Sequence, residues 1–166
     1  MPAEPPREKA LQKAYRLLAM RAHSEAELAA KLRRGGFAAA AVDFALARCR
    51  EQGFLDDAKY ARQRARELAV NRLAGNRRIA ADLREKKIAE PLVDEAIAEA
   101  RQELGQEEAL DRLLARMTRG EEIASVDDSR RAKWVRSLLG RGFPTGLILQ
   151  RLNVAEEDGL HDNDGP

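Results

Sequence analysis

The chain repeats itself, and the repeat is helical. Leu28, Leu32, Phe37, Val42 and Leu46 recur 51 residues later as Ile79, Leu83, Ile88, Val93 and Ile97. A further 55 residues on they recur as Trp134, Leu138, Phe143, Ile148 and Leu152. The block matches in three copies without an internal gap, although only 44% of the chain is hydrophobic. Self-similarity of this kind marks tandem structural units. Leu28 and Leu32 are four residues apart, as are Val42 and Leu46, so each pair shares one helix face.

Punctuation residues delimit the helices. Gly36 and Gly142 sit just before Phe37 and Phe143, where a left-handed helix stop belongs. Lys87 holds that place in the middle copy, which predicts a weaker or differently shaped stop there. Pro91 and Pro144 fall near the start of the following helix, where a missing N–H costs nothing. Ser24-Glu-Ala-Glu27 reads as a capping box, Gly75 fills the same slot 51 residues on, and Asp127, Asp128 or Ser129 suits the third copy. Ala14 and Leu17 map onto Ala65 and Leu68 and then onto Leu110 and Leu113, giving each copy an earlier helix. The third copy carries about ten extra residues near Thr118–Asp127, which predicts a longer loop.

The pattern predicts an all-α fold of three tandem three-helix repeats, arranged as an elongated, curved, solenoid-like rod of either hand. The expected divisions are 1–57 for an N-terminal extension and first repeat, 58–106 for the second and 107–154 for the third. Residues 155–166 read as an acidic, disordered tail. Each unit is small, so stacking on a neighbour is expected to complete its core. No segment alternates β-branched residues as a strand would.

Catalytic chemistry finds little to work with. One cysteine excludes an internal disulfide and a cysteine-based zinc site. Cys49 falls on the apolar face with Val42 and Leu46 and reads as core. His23 precedes a helix cap, and His161 lies in the tail. Asp56-Asp57 follow Gly53-Phe54-Leu55 at a helix start, where acidic side chains suit the helix dipole better than a catalytic pair. The acids of Glu121–Asp128 fit no calcium loop, and no glycine-rich phosphate cradle is present. No enzyme, metal or cofactor is expected, and no membrane span or secretory signal. A cytoplasmic monomer is the expectation.

Charge is segregated more than the net +2 suggests. Residues 59–88 carry 10 basic and 3 acidic groups, residues 89–129 carry 4 and 12, and residues 130–151 carry 6 and 0. Basic blocks rich in arginine suit phosphate or carboxylate. The candidate binding residues are Arg72, Arg77, Arg78, Arg84, Lys86 and Lys87 in the first block. Arg130, Arg131, Lys133, Arg136 and Arg141 are those of the second. Trp134 occupies a core position of the repeat, and aromatics make up only 4% of the chain, so base stacking is poorly served.

With the copies laid out, the chain resembles the RecX family, regulators of the bacterial recombinase RecA. Ser24-x-x-Glu27-Leu28-x-x-Lys31-Leu32 with Gly36-Phe37 carries the first part of the likeness. Gly53-Phe54-Leu55-Asp56-Asp57 with Tyr60-Ala61 is its most specific piece. Gly75-x-x-x-Ile79-x-x-x-Leu83 with Lys86 and Ile88, and then Lys133, Leu138 and Arg141-Gly142-Phe143, complete it. The likeness spans roughly residues 8–154. Lys87 stands where the family usually has glycine, and Gly140 where an arginine is common. The resemblance implies binding to RecA filaments on single-stranded DNA, lodged in the helical groove, with lowered ATPase and strand exchange. Weak direct DNA binding is compatible with it. A helix-turn-helix-like protein that binds nucleic acid directly, or a helical scaffold for another protein, are the competing readings.

Overall fold

In the computed structural model, which describes residues 5–153, nine α-helices follow one another as three triplets. The first comprises α1 (Pro6–Met20), α2 (Glu25–Arg34) and α3 (Ala39–Glu51). The second comprises α4 (Asp57–Arg66), which continues into a π-helical turn at Glu67–Asn71, then α5 (Asn76–Glu85) and α6 (Glu90–Glu103). The third comprises α7 (Gln106–Thr118), α8 (Asp128–Gly140) and α9 (Thr145–Arg151). No strand occurs among the described residues. The expected acidic tail lies outside them.

The caps follow from side chains. Ser24 accepts from the Glu27 amide while the Glu27 carboxylate takes the Ser24 amide, a complete capping box at α2. Asp56 caps α4 through the Lys59 amide, and Asp127 caps α8 through the Arg130 amide. The loop before α8 is long, as its ten extra residues require, and includes a 3-10 turn at Ile123–Ser125.

The middle helix of each triplet ends the same way. The amides of Phe37, Ile88 and Phe143 reach back to the carbonyls of Leu32, Leu83 and Leu138. Gly36 and Gly142 adopt φ of 85° and 89°, and Lys87 adopts 58°. The middle stop therefore has the same left-handed shape as the others, which removes the differently shaped stop from the two expected alternatives and leaves the weaker one. What differs is that a β-carbon is held where glycine would sit without strain.

Three apolar cores form, one per triplet. Leu28, Leu32, Val42 and Leu46 fill the first, Ile79, Leu83, Ile88 and Val93 the second, and Trp134, Leu138, Phe143, Ile148 and Leu152 the third. Phe37 and Ile97 are only half-buried. In the first two triplets the outer helices pack along alanines, Ala10 and Ala14 with Ala41 and Ala45, then Ala61 and Ala65 with Ala96 and Ala100. Small residues let those helix axes approach closely. Leu110 replaces Ala65 in α7 and α9 has only seven residues, so the third triplet packs through larger side chains over a shorter length.

Apolar stacking between units proves to be local rather than continuous. Leu73 leaves the second unit for the third core, with Val70 packed against that core from the same π-turn segment. The other principal links between units are polar. They position the basic residues.

Candidate functional site

The first junction joins the start of α2 to the end of α5. The Ser24 hydroxyl donates to the Lys86 carbonyl at 2.8 Å, and the Glu25 amide donates to Asp57 Oδ1 at 2.8 Å. The Asp56-Asp57 pair thus caps two helices, one in its own unit and one in the unit before. The Glu27 carboxylate lies between Arg21 and Lys86, 3.1 Å from each cation, with only 14% of its side chain exposed. Burial pushes its carboxyl upward, but hydrogen bonds and charge from Arg21 and Lys86 prevail and hold it at about 2. Beside it, buried His23 contacts the Arg21 carbonyl through Nδ1 at 2.9 Å and Lys31 Nζ through Nε2 at 2.8 Å. The ammonium donates, so Nε2 accepts and Nδ1 carries the proton. Burial, the largest influence, holds the His23 ring below its ordinary value.

The second junction repeats the first one unit along, with different chemistry. The Gly75 amide donates to the Arg141 carbonyl at 2.8 Å, and the Arg77 amide to the Gly142 carbonyl at 3.2 Å. Gly75 stands 51 residues after Ser24, and Arg141 stands 55 after Lys86, so equivalent positions meet. Two residues of the acidic block brace the contact. Gln106 Oε1 accepts from the Asn76 amide at 2.7 Å. Arg101 donates to the Ala74 carbonyl at 2.6 Å, to Asn76 Oδ1 at 2.7 Å and to the Leu104 carbonyl. Desolvation lowers the pKa of this guanidinium, which has no carboxylate partner among the described residues. Sequence reasoning missed both: neither belongs to a motif, and both lie in a stretch dominated by glutamate.

The predicted basic residues divide into two populations. Arg84 is paired with Glu90, Arg72 with Glu67 and Lys86 with Glu27. Arg130 is paired with Glu121, and its guanidinium lies 5.4 Å from the centre of the buried Trp134 ring. Arg131 holds the long loop through the Ile123 and Val126 carbonyls. Arg77, Arg78, Lys87, Lys133, Arg136 and Arg141 are exposed and make no side-chain ion pair with a described residue. Arg77 and Arg84 line one groove between α5 and α6. Arg78 and Arg141 meet at the second junction, while Lys133 and Arg136 project from α8.

The acidic block is largely consumed within the molecule. Glu90, Glu99 and Glu103 of α6 pair with Arg84, Arg62 and Arg66, and Glu107 and Asp111 of α7 hold Arg151. Much of the charge segregated along the chain thus becomes paired charge between neighbouring helices, leaving exposed cations in both basic blocks. A second feature is apolar. Phe54 of the Gly53–Asp57 motif is 60% exposed, meets Tyr15 edge to face at 5.9 Å, and lines a groove with Leu18 and Ala19 on the first unit.

Comparison with known proteins places this arrangement. Family models for the first and second three-helix domains of RecX match residues 10–49 and 56–97. Regulatory protein RecX of Syntrophotalea carbinolica is 34% identical over 145 residues, covering 87% of this chain and 95% of that protein. The chain belongs to the RecX family. The Thermus thermophilus RecX is 39% identical over 150 residues, covering 90% of this chain and 94% of its own length. A crystal structure of a regulatory protein RecX shares the fold with TM-score 0.71 at 23% identity, over 90% of this chain and 72% of that one. The crystal structure of RecX from Lactobacillus salivarius matches with TM-score 0.70 at 20% identity, over 90% and 98%. This is accordingly a chain of a regulatory family with tandem three-helix domains. Among the described residues no helix is long and apolar enough to cross a membrane.

Proposed function

We infer that this RecX chain binds RecA filaments assembled on single-stranded DNA and lowers their ATPase and strand-exchange activity, as a cytoplasmic monomer without chemistry of its own. Membership of the regulatory family supports RecA as the partner. The observation that carries the reading is the remainder of the predicted cations, Arg77, Arg78, Lys87, Lys133, Arg136 and Arg141, which are exposed and pair with no carboxylate of the described residues, while Arg72, Arg84, Lys86 and Arg130 are paired. A row of helical units bearing such a remainder suits a groove walled by acidic protein surface and DNA phosphate. Paired arginines such as Arg84 contribute less, because a partner must first displace Glu90.

The test adds purified protein to preformed recombinase filaments and follows ATP turnover. Turnover falls with the wild-type chain, falls less with R78A/R136A/R141A, and is lowered almost normally by R84A. Unchanged turnover with the wild-type chain overturns the reading. Direct binding to naked single strands is the competing outcome. Through six phosphates it weakens roughly a thousandfold between 50 and 200 mM salt.

A further inference from the structure

The two junctions are built on equivalent positions, yet among the described residues only the first contains its own counter-ion. There the Glu27 carboxylate sits between Arg21 and Lys86. One unit along, Arg21 becomes Arg72, Lys86 becomes Arg141, and Glu27 becomes Arg78. Both flanking cations are kept, and the anion between them is replaced by a third arginine. The Ser24 hydroxyl on the Lys86 carbonyl and the Gly75 amide on the Arg141 carbonyl join equivalent positions, so these are the same places in the fold.

Among the described residues the second junction offers no internal relief. Arg78 and Arg141 are exposed and pair with no described carboxylate, and Arg72 meets Glu67 of the π-turn at 3.4 Å with 67% of its side chain exposed. Nor can Arg78 and Arg141 separate through the backbone. A β-carbon added to Gly142 would lie 2.2 Å from the Arg78 amide nitrogen, so Arg78 is pressed against the neighbour of Arg141. Like charges anchored on touching backbone segments, with no counter-charge among the described residues, are a local fault in an otherwise consistent fold, and such faults concentrate at functional sites.

We propose that the second junction is a receptor for a carboxylate supplied by a partner protein, an Asp or Glu side chain of an acidic segment that takes the place Glu27 occupies at the first. The internal template is a carboxylate held by a guanidinium and an ammonium, and arginine forks match that group bidentately. Nucleic acid is the weaker candidate. The exposed large apolar side chains among the described residues are Met20, Phe54 and Leu139, so no exposed aromatic stands at this junction to stack a base. The proposal rests on the reading of the basic remainder as a docking surface.

The experiment uses the full chain and R78A, R78Q and R78E variants, with an octaglutamate peptide and a twenty-nucleotide oligothymidine as probes. Arg78→Glu recreates the first junction's charge pattern. It is expected to melt above the wild type and above R78Q at low salt, with the gap closing near 1 M salt. Octaglutamate affinity is expected to fall about tenfold in R78A and further in R78E, as for loss of a charge-assisted contact. If R78E melts no higher than R78Q, the equivalence of the junctions is overturned. If oligothymidine outcompetes the peptide and depends on the same arginine, the ligand class is overturned in favour of nucleic acid. ATP turnover of filaments separates the two readings. Peptide and melting results as expected, with turnover untouched by the wild-type chain, sink only the filament reading. Normal inhibition by the wild-type chain together with unchanged peptide affinity in R78A and R78E sinks only this one.

Discussion

Gly75 and Gly142 meet backbone to backbone across the second junction: a β-carbon on Gly75 would fall 2.3 Å from the carbonyl carbon and oxygen of Gly142. The two glycines differ in conformation, Gly142 lying at φ 89° while Gly75 holds an ordinary extended cap at φ −75°. Gly142→Ala therefore suffers twice. Left-handed backbone costs a β-carbon about 1–2 kcal/mol, and overpacking adds roughly 1–3 kcal/mol. Gly75→Ala suffers from packing alone and should lose less. Chemical denaturation of the two variants orders them. Equal losses would mean that the junction yields by sliding apart rather than by straining the Gly142 turn.

Lys87 occupies the left-handed position that Gly36 and Gly142 fill in the other units, at φ 58°. Relief of backbone strain by Lys87→Gly exceeds the extra freedom gained by the unfolded chain, because the native conformation suits glycine. Stability is expected to rise by about 0.5–1 kcal/mol. Lys87→Ala, which keeps the β-carbon, should not rise at all. A gain in the alanine variant would locate the cost in the lysine charge, not in the backbone.

How far the sequence discloses this molecule depends on which residues carry the information. The helix triplets were legible because Leu32, Leu83 and Leu138 repeat with their following stops, and periodicity encodes helix faces directly. Trp134 was assigned to the core by its register alone, and it is buried. The basic surface was less legible. Lys86, Arg84 and Arg130 read as free cations in the chain, but each meets a carboxylate 6 to 59 positions away in sequence, Glu27, Glu90 and Glu121. Ion pairing between elements depends on side-chain geometry that periodicity does not carry. Nor does it reveal that Arg101 is spent on bracing Asn76 at the start of α5.

Acid should weaken the first unit in two windows. His23 is held below its ordinary 6.5, burial being the main cause, so the unfolded chain takes up its proton first and stability declines as pH falls below about 6.5. Glu27 is held near 2 against an ordinary 4.5. Its contribution is complete above 4.5 and is lost as pH falls from there toward 2. Glu27→Gln should cost on the order of 2–3 kcal/mol at pH 7, and the gap to wild type should close in strong acid. Denaturation curves at several pH values measure this. A gap that persists unchanged at pH 2.5 would show that the side chain acts by hydrogen bonding alone.

Three separate cores imply that the units lose structure unequally, since stability in tandem arrays is a sum of unit and nearest-neighbour terms. Cys49 makes the first unit readable. It is fully buried among Leu28, Leu46 and their neighbours, and burial raises its thiol pKa, so the reactive thiolate is doubly suppressed. A neutral aromatic disulfide should label the native protein very slowly and the denatured protein at once. Leu28→Ala, which opens a cavity worth about 2–5 kcal/mol in that core, should accelerate labelling by orders of magnitude. Gly142→Ala damages the far junction and should leave the Cys49 rate within a few-fold of wild type. Comparable acceleration in both variants would mean that the three triplets unfold as one cooperative body, with the polar junctions transmitting as much as the cores.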